Sequence, residues 1–129
     1  MKQFKKAIVV EDNEPTRRLI DMALEAIGIR DITNVENGLT ALDALVSTQA
    51  DIAIVDWQMD VMDGLEFTRK VRDGYGGIDP KTPIVMLTGV RGEDAEKKAH
   101  AAGVDLFMNK PFSVKSLLEG IKALHERHL

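Results

Sequence analysis

Short runs of consecutive apolar residues alternate along the chain with longer segments in which apolar positions recur every three or four residues. The runs fall at residues 6–11, 32–35, 51–56, 83–88 and 105–109 and are rich in β-branched side chains, the signature of strands. Ala7-Ile8-Val9-Val10 and Ile52-Ala53-Ile54-Val55 have no polar alternation, which predicts central strands of a parallel sheet covered on both faces.

The intervening segments carry helix signals. Asn13 can cap the first helix and Pro15 fits its first turn; Ile20, Ala23, Leu24 and Ile27 form a face, and Gly28 ends it. A second helix runs from about Gly38 to Ser47, and a third starts after Asp63-Gly64, with Asp63 as cap, and stops near Asp73. Ala95, Ala99 and Ala102 mark a fourth ended by Gly103, and Ser113 opens a fifth with Val114, Leu117, Ile121 and Leu124 facing inward. Strands alternating with helices predict an α/β chain: a three-layer, doubly wound sandwich of five parallel strands and five helices, with right-handed crossovers, as one domain over residues 1–129. The glycine-rich stretch 73–80 is expected to be mobile and offers no chemistry.

Composition narrows the function. The 129 residues are 44% apolar and 29% charged, as in a globular domain, and the net charge of -4 argues against nucleic acid as a direct partner. Without cysteine there is no disulfide framework and no thiolate site. The basic N-terminus is followed by only four apolar residues before Glu11, too few for a signal-peptide core, and no run approaches a membrane span; a cytoplasmic location is expected.

The strand ends concentrate reactive groups. The first predicted strand closes in Glu11-Asp12, the third in Asp56, the fourth in Thr88, and Lys110 follows the fifth. Sites of open α/β sheets form beyond these carboxyl ends. Two bare carboxylates about 4 Å apart repel by roughly 4 kcal/mol at an effective dielectric near 20, so such a cluster requires a shared proton or a cation. Hard oxygen ligands suit Mg²⁺. With a cation present, Asp56 is a candidate nucleophile toward phosphorus, and Thr88 and Lys110 are the hydroxyl and ammonium wanted around a transferring phosphoryl group.

Glu11-Asp12-Asn13, Ile54-Val55-Asp56-Trp57-Gln58-Met59, Met62-Asp63-Gly64, Thr82-Pro83-Ile84-Val85-Met86-Leu87-Thr88 and Asn109-Lys110-Pro111-Phe112 resemble, in order and spacing, the motifs of a response-regulator receiver domain of two-component signalling. The resemblance covers essentially the whole chain and implies a flavodoxin-like strand order 2-1-3-4-5. It implies that Asp56 accepts a phosphoryl group from a phosphohistidine on a sensor histidine kinase or histidine phosphotransfer protein. It further implies Mg²⁺ ligated by Asp12, by Asp56 and by the backbone carbonyl of Gln58, with Glu11 acting largely through water. Thr88 and Lys110 would contact the phosphoryl oxygens, Thr88 and Phe107 would form the switch, and Lys110-Pro111 would be cis.

Some positions depart from the family pattern. Asp60 stands where proline is frequent, adding charge and loosening its loop, and Phe107 lacks a tyrosine hydroxyl. Gly89 replaces a common alanine or serine and should open the site, while Gln58 and Val90 occupy positions that tune phosphoryl loss in the family.

Singly, each signal has a plainer reading: Glu11-Asp12 as a solvated strand end and cap, Thr88 as a strand residue, Lys110 as a surface charge. Their convergence on one sheet edge outweighs this. His100, His125 and His128 read as solvated and remote from the acids, Trp57 as core or rim packing, and residues 93–98 as a solvated helix face.

The expectation is therefore a stand-alone receiver without an output domain, monomeric or dimerising on phosphorylation, that signals to a downstream protein through the face of the fourth helix, fifth strand and fifth helix. It would catalyse only its own phosphorylation and dephosphorylation. The competing reading is a Mg²⁺-dependent phosphatase or phosphotransferase with an aspartyl-phosphate intermediate, but glutamine stands at position 58, where such enzymes commonly place a second acid.

Overall fold

A computed structural model describes residues 4–89 and 92–127; Val90 and His128, named above, and the first three residues of the basic N-terminus lie outside the described residues. The strands are β1 (Lys6–Val10), β2 (Asp31–Val35), β3 (Ile52–Asp56), β4 (Ile84–Thr88) and β5 (Leu106–Asn109). The helices are α1 (Glu14–Ile27), α2 (Gly38–Thr48), α3 (Gly64–Arg72), α4 (Glu93–Ala102) and α5 (Val114–Arg127). All strand pairs are parallel, in the order β2-β1-β3-β4-β5. No described helix is long and apolar enough to cross a membrane.

Alternate residues of each strand feed two cores. Ile8, Val10, Ala53, Val55, Ile84 and Met86 point toward α2, α3 and α4, where Leu42, Phe67 and Ala99 meet them. Ala7, Val9, Ile52, Ile54, Val85 and Leu87 point toward α1 and α5, against Leu24, Leu117 and Ile121. The apolar runs of β1, β3 and β4 are buried on both sides, while β2 and β5, at the edges, are half exposed.

The caps follow the predicted chemistry. Asn13 Oδ1 accepts the Thr16 amide at 3.0 Å, Asp63 Oδ1 accepts that of Glu66 at 2.9 Å, and Ser113 Oγ accepts that of Ser116 at 3.0 Å. Gly28 and Gly103 close α1 and α4 in the left-handed region.

Three expectations are corrected. Glu11, Asp51, Pro83 and Asp105 flank the strands instead of belonging to them; Asp51 accepts the Lys5 and Lys6 amides at 2.8 and 2.9 Å, and Asp105 accepts that of Ile84 at 2.8 Å. The stretch 73–80, expected to be mobile, is anchored: Tyr75–Gly77 form a 3-10 turn, Ile78 is buried, and the Arg72 guanidinium binds the Pro80 and Thr82 carbonyls at 2.8 and 2.7 Å. His125 is not simply solvated, since its ring stacks on Phe4 at 4.7 Å and its Nε2 accepts the Phe4 amide at 3.3 Å.

Candidate functional site

Register brings the reactive residues together. Val10 pairs with Val35 and Asp56 with Leu87, so Glu11, Glu36 and Thr88 each lie one step past a pairing at the same edge. Glu11, Asp12, Glu36, Asp56, Gln58 and Asp60 line a shallow depression of about 40 Å³. That is room for an ion with its waters.

Lys110 crosses from the far end of the chain to bridge two of the acids. Its Nζ donates to Glu11 Oε1 at 2.6 Å and to Asp56 Oδ2 at 2.8 Å. The Glu11 side chain is 2% exposed and that of Asp56 17%, so water screens the Glu11 contact little. Burial works against the charge on Lys110, but the hydrogen bonds to Asp56 and Glu11 outweigh it, and its pKa is raised. The remaining oxygens are also engaged: Asn13 N–H donates to Glu11 Oε2 at 3.2 Å, and Gln58 N–H donates to Asp56 Oδ1 at 3.1 Å. Asp12 stays exposed beside them.

The switch candidates sit on the neighbouring strands. Thr88 is fully buried, and its carbonyl accepts the Lys110 amide at 2.8 Å, fixing where the lysine leaves the sheet. Phe107 meets Trp57 edge to face at 6.4 Å, and Trp57 packs against the core. Lys110-Pro111 is cis. A Cβ at Gly89 would meet nothing within 4 Å, so packing does not demand glycine there. His100 is exposed on α4, its Nε2 3.5 Å from Glu96.

The loop after Asp56 is tighter than Asp60 suggested. Met62 N–H donates to the Asp60 carbonyl at 2.7 Å across Val61, whose φ is +70°; this three-residue turn is strained for a β-branched residue. Gly64 then returns beneath the acid, its N–H bound to the Trp57 carbonyl at 2.8 Å, and a Cβ there would stand 2.7 Å from the Asp56 carbonyl oxygen.

Sequence reasoning missed several residues around the site. Asn37 caps α2 through the Thr40 amide at 2.9 Å, and the signal was available, since Asn37-x-x-Thr40 repeats Asn13-x-x-Thr16. Glu36 and Arg17 gave no local signal; they reach the acids only through the β1–β2 pairing and the placement of α1.

The donor set is oxygen only, suited to a hard cation. Among the described residues no three acid or histidine side chains form a metal cage. Two carboxylates with a backbone carbonyl fit Mg²⁺, which keeps several waters and takes few protein ligands.

The family model for the response regulator receiver domain matches residues 7–122. The heme response regulator HssR of Staphylococcus haemolyticus is 32% identical over 95% of this chain and 52% of its own length. A chemotaxis protein CheY homolog of Campylobacter jejuni is 35% identical over 91% of this chain and 89% of its own. The solved chemotaxis response regulator CheY4 of Vibrio cholerae superposes with a TM-score of 0.82 at 27% identity, covering 94% of this chain and 98% of that one. The chain thus spans about half the length of relatives such as HssR and most of the length of the chemotaxis proteins. With its sheet order and strand-end residues, it belongs to the response-regulator receiver domain family of two-component signalling.

Proposed function

We propose that Asp56 is the phosphoacceptor of this receiver and takes a phosphoryl group from a phosphohistidine on a kinase or phosphotransfer protein. A carboxylate oxygen of Asp56 attacks phosphorus while the P–N bond to the imidazole breaks; its electron pair stays on the ring nitrogen. The product is an acyl phosphate on Asp56 and a free histidine. The observation that carries this reading is the Lys110 bridge, which sets an ammonium 2.8 Å from Asp56 Oδ2.

The residues divide the work. Lys110 pairs with the phosphoryl oxygens, and the Thr88 hydroxyl hydrogen-bonds to them. Asp12, Asp56 and the Gln58 carbonyl would hold Mg²⁺, with Glu11 acting largely through water. When bound, Mg²⁺ neutralises charge on the acids and on the phosphoryl oxygens. Gln58 and Gly89 border the path by which water removes the phosphoryl group. The added charge of about -1.5 to -2 biases Thr88 and Phe107, and signalling proceeds through the surface of α4, β5 and α5 to a protein target rather than to nucleic acid.

Incubation with Mg²⁺ and acetyl phosphate, followed by intact-mass measurement, tests this. One added phosphoryl group is expected in the native chain and none in Asp56→Ala. A gain that persists in Asp56→Ala moves the acceptor elsewhere, and no gain at any Mg²⁺ concentration overturns the reading.

A further inference from the structure

A cavity of about 210 Å³ opens beside Asp51, the residue before β3, at the opposite end of that strand from Asp56. Five residues of strand put the two acids roughly 16 Å apart, so the cavity is no part of the phosphoryl site. Its floor is apolar. Phe4, Leu45, Ala50 and Ile78 are between 1% and 6% exposed and Pro83 is buried, so the hollow runs into the core rather than along the surface. An apolar cavity of about 150 Å³ accepts a benzene ring, so this one has room for one aromatic or branched side chain.

The walls are fixed from outside the cavity. Phe4 stacks on His125 at 4.7 Å, Asp51 Oδ2 accepts the Lys5 and Lys6 amides, and Arg72 holds the Pro80 and Thr82 carbonyls. A site formed before its ligand arrives spares the cost of ordering the walls on binding. The mouth is polar and carries both signs. Asp79 and Lys81 line it, both are exposed, and neither joins an ion pair among the described residues. Asp79 Oδ1 is turned onto the Lys81 amide at 2.9 Å, which leaves a carboxylate and an ammonium two positions apart and not paired with each other.

We propose that this cavity binds an apolar α-amino acid, with the side chain in the floor, the ammonium on Asp79 and the carboxylate on Lys81. An amine or an acid alone satisfies one of the two charges at the mouth, and a hydrocarbon neither. A zwitterion with an apolar body satisfies both charges and the floor. Binding there is separate from the chemistry at Asp56 and needs no phosphoryl group.

The test titrates the full chain with L-leucine and L-phenylalanine at pH 7 and follows the backbone amide NMR signals. The signals of Ala50, Ile78 and Thr82 should shift saturably at about millimolar concentration, with those of Asp12 and Gln58 unmoved. 2-Phenylethylamine and 3-phenylpropanoate, each lacking one charge of phenylalanine, should bind at least about threefold more weakly than phenylalanine itself. Asp79→Asn keeps an oxygen for the Lys81 amide but drops the charge. It should weaken phenylalanine binding about threefold and leave 3-phenylpropanoate unchanged. Ala50→Leu fills the floor and should abolish binding of both amino acids; where this variant does not fold, Asp79→Asn decides alone. No saturable shift with either amino acid by roughly 20 mM, a one-charge analogue binding as tightly as phenylalanine, unchanged affinity in Asp79→Asn, or shifts centred on Gln58 each overturns the site.

Discussion

Glu11 and Lys110 are 99 positions apart in the chain and meet at 2.6 Å, with the Glu11 carboxylate buried and the lysine its principal counter-charge. The contact joins the end of β1 to the segment after β5, across the width of β3 and β4. Removing the ammonium leaves an uncompensated carboxylate in the sheet edge with Asp56 beside it.

Lys110→Met is therefore expected to destabilise the fold by about 2 kcal/mol at neutral pH in urea titration, and Mg²⁺ should restore more stability to this variant than to the native chain. Because the Lys110 pKa is raised on folding, its contribution is whole below the ordinary lysine value of about 10.4 and is lost as pH rises above it. Melts between pH 8 and 11.5 should show the native advantage over Lys110→Met holding to about pH 10 and then shrinking. An advantage that fades between pH 7 and 9 would assign it to another group.

Gly64 marks where the loop after Asp56 touches the strand it came from. Gly64→Ala drives a methyl toward the Asp56 carbonyl and the Met86 side chain, both under 3 Å away, at an expected loss of about 1–3 kcal/mol. Phosphorylation by acetyl phosphate should slow as well, because the same shift moves Trp57 and Gln58. Native stability and rate in this variant would show that the loop has room to yield.

Val61 is 76% exposed, so replacing it removes strain without opening the core. Val61→Asn is expected to raise stability by about 1 kcal/mol, since asparagine tolerates the left-handed region that valine resists. Thermal melting of the two proteins side by side decides this, and a lower Tm for the variant rules out strain at that turn.

Asp21 on α1 has a buried Oδ1 with no hydrogen-bond partner among the described residues. Burial and the neighbouring Glu25 raise its pKa, against the pull of Arg17. A raised carboxyl pKa means the folded state holds the proton more tightly, so this residue lowers stability above its folded value and the loss is recovered as pH falls through it. Asp21→Asn should gain about 1 kcal/mol at pH 7, with the gain disappearing in acid. A variant less stable at pH 7 would reveal a favourable role for the charge.

The layers were legible because the apolar runs of β1, β3 and β4 face helices on both sides and so carry no alternation. The edge strands were legible too, although their half exposure blurs the pattern. At the site, Asp56, Thr88 and Lys110 announced themselves by position at strand ends. Glu36 and Arg17 did not, because what makes them matter is a pairing between strands and not a spacing along one. Arg72 was silent for the same reason: its guanidinium binds the Gly103 carbonyl, Asp105, and the Pro80 and Thr82 carbonyls, partners up to 33 positions away.

That guanidinium also anchors the end of α4. The helix rests on alanines, Ala95, Ala99 and Ala102, with no long side chain keyed into the sheet, and its last turn is tied at Gly103 to Arg72. Its first residue, Glu93, comes five positions after Thr88, the last residue of β4. The tether of α4 thus lies at its C-terminal turn, while its acidic residues Glu93, Asp94 and Glu96 stand at the opposite end, nearer in sequence to Thr88.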